Sequence, residues 1–175
     1  MIISGSPRLH GNSDILCDEF KRGALEAGHE VEKINLGAKK INYCLGCGVC
    51  NATGKCVQKD DMAEMIAKVQ NADTIIFATP IYYYEMSGQL KTFLDRCNPL
   101  YPQENKFKDV YLITSSYDDA KNASDIAANG LGGWVACFEQ SRLAGVLTGG
   151  GLNEPKDAIT NENLLHKAYE LGKNV

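Results

Sequence analysis

MIISGSPRLHGNSDI, residues 1–15, is the stretch from which the rest of the chain is best read. A short apolar strand, Met1 to Ile3, runs into a Gly/Ser/Pro turn, and Asn12-Ser13 opens an amphipathic helix. This arrangement leaves backbone N–H groups and hydroxyls at a helix N-terminus, where the macrodipole favours an anion. The P-loop pattern GxxxxGK[ST] is not met: five residues separate Gly5 from Gly11, and Asn12 stands where the lysine belongs. The dinucleotide pattern GxGxxG fails too, because Ser6 occupies its second glycine. What remains is a loop of hydroxyl and amide donors, Ser4, Ser6, Asn12 and Ser13, with one arginine, Arg8. Such a loop suits a phosphate monoester held without metal, as on FMN; an ordinary turn with an Asn or Ser helix cap reads equally well.

Downstream, strands and helices alternate. The strand Met1–Ser4 and the helix Ser13–Ala27 are followed by a strand over Glu30–Leu36 and a long cysteine-bearing excursion, residues 37–60. Asp61 is expected to cap a helix through Gln70, with Glu64 as its capping-box partner. Thr74–Thr79 (TIIFAT) is a continuous apolar run, as in a buried parallel strand. A helix over Ser87–Arg96, a strand over Val110–Thr114, a helix over Ser124–Gln140, a strand over Leu143–Leu147 and a helix over Asn161–Leu171 complete the pattern. Five βα units predict one α/β domain over residues 1–175, a doubly wound five-stranded parallel sheet in the order 2-1-3-4-5 with helices on both faces.

The 175 residues are 44% hydrophobic and 23% charged, an ordinary globular balance, and the net charge of −4 with no basic run excludes a nucleic-acid partner. No apolar run reaches membrane-spanning length and no signal-peptide pattern opens the chain. Seven cysteines, an odd number, argue against a secreted disulfide framework and for a reducing cytoplasm.

In a doubly wound sheet, ligands sit beyond the strands' carboxyl ends. The loops that converge there read GSPRLHGNS, TPIYYYEMSGQ and SSYDD. Tyr82, Tyr83 and Tyr84 in the middle loop offer aromatic faces that something planar or a second subunit should cover.

Taken together, GSPRLHGNS, CLGCGVCNATGKC, DDM and TPIYYYEMSGQLKTFLDR resemble, in order and across the whole chain, the flavodoxin-like NAD(P)H-dependent FMN oxidoreductases. The similarity is greatest to the branch that includes the iron–sulfur flavoproteins. The resemblance implies a flavodoxin-like sheet, bound FMN, and a homodimer or homotetramer with FMN near the interface. It places Ser6, Arg8, Asn12 and Ser13 on the phosphate, Pro80, Ile81, Tyr82 and Tyr83 along the isoalloxazine, and Ser115, Ser116 and Tyr117 on its other side. NAD(P)H is the implied co-substrate, and a quinone, nitro compound, free flavin or protein the acceptor. One departure stands out: the first strand has three residues ahead of Ser4, shorter than this central position suggests, leaving open a start further upstream or a truncated strand.

Cys44, Cys47, Cys50 and Cys56 follow C-x2-C-x2-C-x5-C, a run of the kind that holds [4Fe–4S] clusters; zinc more often draws on two separated C-x2-C pairs. Gly46, Gly48 and Gly54 loosen the backbone for such a wrap. The spacing also matches the iron–sulfur flavoproteins that the chain resembles. A cluster, redox-active or bare thiols, and zinc all remain open. Cys17, Cys97 and Cys137 fall in helical patterns as small core residues, His29 and His166 as surface residues, and Asp60 with Asp61 as capping rather than a carboxylate pair. Trp134 reads as a packing or interface anchor, and the glycines of TGGGL (148–152) as a flexible loop. No Ser-His-Asp or Cys-His arrangement is present, so no catalytic residue is assigned. Three functions follow: an NAD(P)H-dependent FMN oxidoreductase, an iron–sulfur flavoprotein electron carrier fed by ferredoxin, or a non-catalytic flavodoxin-like interaction module.

Overall fold

In the computed structural model, which describes residues 1–175, a parallel sheet runs β2-β1-β3-β5-β6. Its strands are β1 (Ile2–Ser4), β2 (Lys33–Asn35), β3 (Thr74–Tyr82), β5 (Asp109–Ser115) and β6 (Arg142–Gly149). A sixth, two-residue strand, β4 (Glu85–Met86), pairs antiparallel with the end of β3. Setting that short strand aside, the order is the expected one, and the architecture is flavodoxin-like.

Successive strand residues point to opposite faces, and each face builds its own core. Ile3, Phe77 and Leu112 join Met62, Met65 and Val69 of α3 (Met62–Asn71), Leu90 and Phe93 of α4 (Gly88–Asp95), and Leu131 of α5 (Asp125–Val135). On the other face, Ile2, Ile76 and Ile113 meet Leu16 and Phe20 of α1 (Asn12–Glu26) and Leu164 and Ala168 of α6 (Glu162–Lys173). α1 and α6 pack backbone to backbone: a Cβ at Gly23 would fall 2.1 Å from the Tyr169 carbonyl oxygen, and one at Gly172 2.0 Å from that of Phe20. Only glycine allows that approach.

Several expectations are corrected. β2 is three residues rather than seven, because only Lys33–Asn35 lie alongside the equally short β1. β3 runs three residues past Thr79, carrying Pro80, Ile81 and Tyr82 into the strand. Pro80 is tolerated there because β1 stops pairing at Ala78, so no ladder bond needs its missing N–H on that side. α5 ends at Val135, leaving Cys137 exposed outside the helix rather than in the core. Asp61 makes no capping bond to α3; its carboxylate accepts from the Lys40 amide instead, and Glu64 pairs with Lys68. The Met62 amide is received by Asp60. Gly149 belongs to β6, and a Cβ at Gly150 would press on the Asp119 backbone at 2.8 Å, so the glycine run serves close packing of two loops. Trp134 stacks with Phe107 and meets Phe77 and Phe138 edge-on or tilted, a packing role. Cys17 and Cys97 are buried as expected, and burial pushes both thiols far above their ordinary pKa. No helix is long and apolar enough to cross a membrane.

Candidate functional site

β1, β3 and β5 end side by side, and the loops that follow them share one edge of the sheet. The first loop leaves Ser4, which is fully buried beneath it, and turns at Gly5. The Gly5 amide donates to the Ala78 carbonyl at 2.7 Å. A Cβ at Gly5 would lie 2.7 Å from that of Leu90 and 3.1 Å from Ser87 Oγ, so the loop is drawn tightly against the start of α4. Ser6 is buried, and its hydroxyl both donates to the Arg8 carbonyl at 2.9 Å and accepts from the Arg8 amide at 3.1 Å. That bond shapes the loop and presents Arg8, which is exposed.

The loop delivers Gly11 as the N-cap of α1, in extended backbone, and no side chain caps the helix. The amides of its first turn therefore keep their capacity to bind an anion. Asp14 in that turn would repel one, but Lys33 meets its carboxylate at 2.7 Å. Burial pushes the Asp14 pKa up, while Lys33 and the His10 amide more than offset this and hold it below the usual carboxylate range. Asn12 faces away from the loop's donors: its side chain donates to the Glu154 carbonyl at 3.0 Å and accepts from the Ala158 amide at 3.1 Å, leaving the backbone N–H as its contribution to the helix end. Ser13 Oγ lies 2.8 Å from Ser115 Oγ, joining the first loop to the third.

The middle loop is a hairpin. Tyr83 and Tyr84 occupy its turn with φ of 51° and 65°, a left-handed pair that favours Asn and Gly. Tyrosine there carries a backbone cost. Tyr83 is fully exposed and Tyr82 and Tyr84 about half so. Tyr84 donates its hydroxyl to Asp118 at 3.1 Å, bridging the hairpin to the third loop, where the carboxylate raises the tyrosine pKa. In that third loop Ser115 and Ser116 are buried and Tyr117 is exposed; Ser116 Oγ donates to the Asp118 carbonyl at 2.7 Å. The Ser13–Ser115 and Tyr84–Asp118 contacts tie the three loops together at this edge of the sheet, with Ser6, Ser13, Ser115 and Ser116 buried, Arg8, Tyr83 and Tyr117 exposed, and Ile81 packed against the core. A groove of about 800 Å³ between Met1, His29, Lys68 and Val175 lies at the opposite ends of the strands, away from the place where such sheets bind ligand.

The four cysteines make a second site. Left-handed glycines, Gly46 (φ 63°), Gly48 (φ 70°) and Gly54 (φ 66°), wrap the excursion around the short α2 (Val49–Thr53). Cys44, Cys47, Cys50 and Cys56 line one cavity of about 150 Å³ with Arg96, Asn98 and Pro99. Burial raises the Cys50 thiol above its ordinary pKa. A single tetrahedral zinc needs sulfurs about 3.8 Å apart at its bond length of about 2.3 Å. The side chains that bring three ligand atoms within 4.8 Å of one another are His10, Asp14 and Asp18; no three of the four cysteine sulfurs lie that close.

Arg96 was hidden in the sequence, as were its partner Asp60 and the loop bridge Asp118. Arg96 follows Leu90, Phe93 and Leu94 on the inward side of α4, and a charge on an apolar face is the signal that a buried partner exists. Asp118 had no such signal, because its partner comes from a different loop.

The chain matches the model of the NADPH-dependent FMN reductase family over residues 1–137. It is 47% identical over 97 residues to an iron–sulfur flavoprotein of Archaeoglobus fulgidus, covering 55% of this chain and 44% of that protein. To an iron–sulfur flavoprotein of Methanocaldococcus jannaschii it is 44% identical over 98 residues, covering 56% of this chain and 51% of the other. The chain thus spans about half the length of these curated relatives. Among solved structures, an NAD(P)H:quinone oxidoreductase from Methanothermobacter marburgensis superimposes with a TM-score of 0.76 at 18% identity, over 99% of this chain and 93% of that one. At that identity it speaks to the fold alone. The fold and the family match agree: the chain belongs to the NADPH-dependent FMN reductase family.

Proposed function

We propose that this chain is an FMN-dependent oxidoreductase that takes reducing equivalents from NAD(P)H and passes them to a small-molecule or protein acceptor. The observation that carries this reading is the uncapped N-terminus of α1, which opens between a serine- and arginine-bearing loop and a rim of exposed tyrosines. Arg8, the Ser13 hydroxyl and the first-turn amides of α1, Asn12 among them, fit a phosphate monoester, with Ser6 shaping the loop that presents Arg8. Pro80, Ile81, Tyr82 and Tyr83 on one side and Ser115, Ser116 and Tyr117 on the other fit a planar ring. FMN, when bound, supplies the hydride and electron chemistry, and these residues bind and orient it. The exposed Tyr83 rim suits burial against a second copy of the chain, as a homodimer or homotetramer. All seven cysteines are free thiols, in keeping with a cytoplasmic setting.

The test is anaerobic addition of NADPH, and separately NADH, to FMN-loaded protein while the flavin absorbance is followed. Bleaching by either nucleotide, reversed by a quinone, supports the proposal; a flavin that neither nucleotide bleaches contradicts it.

The cysteine cavity favours a second reading, in which Cys44, Cys47, Cys50 and Cys56 hold a [4Fe–4S] cluster and the chain carries electrons received from a ferredoxin. The donor set suits it: four thiols face one cavity, with N–H donors directed at sulfur from Gly46 and Arg96. About four irons and matching sulfide per chain in anaerobic preparations would favour this reading, and their absence after reconstitution would remove it.

A further inference from the structure

Arg96 is the bulkiest fully buried side chain in the molecule, and it stands at the wall of the cysteine cavity. Its guanidinium is clamped by Asp60 in a two-pronged pair, Nη1 to Oδ2 at 2.7 Å and Nη2 to Oδ1 at 2.9 Å, with both side chains essentially sealed from water. Nη1 also donates to the Asn42 carbonyl at 2.6 Å, and Nη2 reaches Cys56 Sγ at 3.4 Å. Asp60 in turn accepts from the Asn42 amide at 2.9 Å. One fork thus grips both ends of the excursion, Asn42 where it enters and Cys56 to Asp60 where it leaves. The buried Nε finds no acceptor at all. An unsatisfied buried donor is costly, so this guanidinium is held at some expense by its other partners, Cys56 Sγ at the cavity wall among them.

We propose that Arg96, clamped by Asp60, is the positioning residue of the cysteine site: it closes the base of the excursion so that the four sulfurs face one cavity, and its N–H groups stabilise the negative charge of the group they hold. This rests on the iron–sulfur reading of the cavity. A guanidinium donating to a ligand sulfur favours the more negative, reduced state of a cluster, so the reduction potential rises with Arg96 in place. Lysine keeps the charge but has no planar fork, so it cannot reproduce the two-pronged Asp60 pair together with the bonds to Asn42 and Cys56.

The experiment compares anaerobically purified wild type with Arg96→Lys and with the charge-free double variant Arg96→Gln/Asp60→Asn, which leaves no lone buried charge to unfold the chain. Three quantities are read: the rate of iron loss to a chelator, the cluster's midpoint potential against that of the flavin, and amide exchange of residues 42–60 in metal-free protein. The proposal expects Arg96→Lys to lose iron about 10- to 100-fold faster, the usual cost of removing a residue that orients metal ligands. It expects the double variant to have a more negative cluster potential with an unmoved flavin potential, and both variants to exchange faster across 42–60 but not in β3 or β5. Iron retention, cluster potential and exchange all equal to wild type would overturn it. So would loss of FMN together with faster exchange throughout the sheet, which would mark a general stability role. If wild type holds no iron after reconstitution, the cluster reading fails; the positioning of the excursion is still decided by exchange, where unchanged rates across 42–60 refute it.

Discussion

The Ser87 hydroxyl donates to the Gly5 carbonyl at 2.7 Å, joining residues 82 positions apart and fastening the first loop to the head of α4. Ser87 also accepts from the Leu90 amide as the helix cap, while its own amide donates to Thr79 Oγ1. One buried serine therefore ties together the end of β3, the head of α4 and the first loop. Ser87→Ala removes a cap and leaves the Gly5 carbonyl without its donor, for a loss of about 1–2 kcal/mol in chemical unfolding. FMN affinity, followed by fluorescence quenching, should fall as well, because the loop loses its anchor. Unchanged affinity would show that Gly5 is held without it.

If FMN binds as proposed, the charges around the first turn of α1 set its affinity. Arg8→Ala should weaken FMN about 10- to 100-fold, the worth of one charge-assisted bond, with little effect on unfolding because Arg8 is exposed. Lys33→Met acts from behind: it frees the Asp14 carboxylate at the same helix end, so FMN binding weakens through Asp14. Riboflavin, which lacks the phosphate, should be insensitive to both substitutions. Equal losses for FMN and riboflavin would refute the assignment.

Tyr83 holds a left-handed backbone while fully exposed. Tyr83→Gly relieves that conformation, so the free chain should gain up to about 1 kcal/mol in thermal or chemical unfolding. If the ring site lies at this turn, the same variant binds FMN less tightly. Opposite signs for stability and affinity are the expected pattern; a loss of both would mean that Tyr83 packs against the fold.

Asp60 gives a pH dependence. Hydrogen bonds from Arg96 hold its carboxyl down at about 2, well below its ordinary value of 3.8. A carboxylate depressed on folding contributes its stability above the unfolded pKa and loses it as pH falls through the folded one. Metal-free protein should therefore lose about 2 kcal/mol between pH 4 and 2 from this group. The double variant Arg96→Gln/Asp60→Asn should lack that component of the acid slope. A slope identical to wild type would contradict the pairing.

The fold was legible because its main signals are local. TIIFAT has the uninterrupted apolar run of a doubly covered strand, and the inward stripes of α1, α3 and α6 carry the helical period. β2 was overextended because alternation in Glu30–Leu36 does not reveal that its neighbour β1 is only three residues long. The turn at Tyr83 and Tyr84 was hidden for the opposite reason: no Gly or Asn marks it, and the strand continues through Pro80 where a break was expected. At the site, the loops and cysteines could be read from residue type and spacing. The pairings of Asn12 with Glu154 and of Asp60 with Arg96 could not, since the partners lie 142 and 36 residues apart in the chain.

The most direct measurement is the absorption spectrum of anaerobically purified protein, with FMN, iron and sulfide quantified on the same sample. The account predicts flavin bands and about one FMN per chain, retained by wild type and depleted in Arg8→Ala. Iron in the same sample would add the cysteine cluster; its absence would leave the FMN oxidoreductase standing alone. A chain that takes up no flavin, even after reconstitution with FMN, would contradict the account.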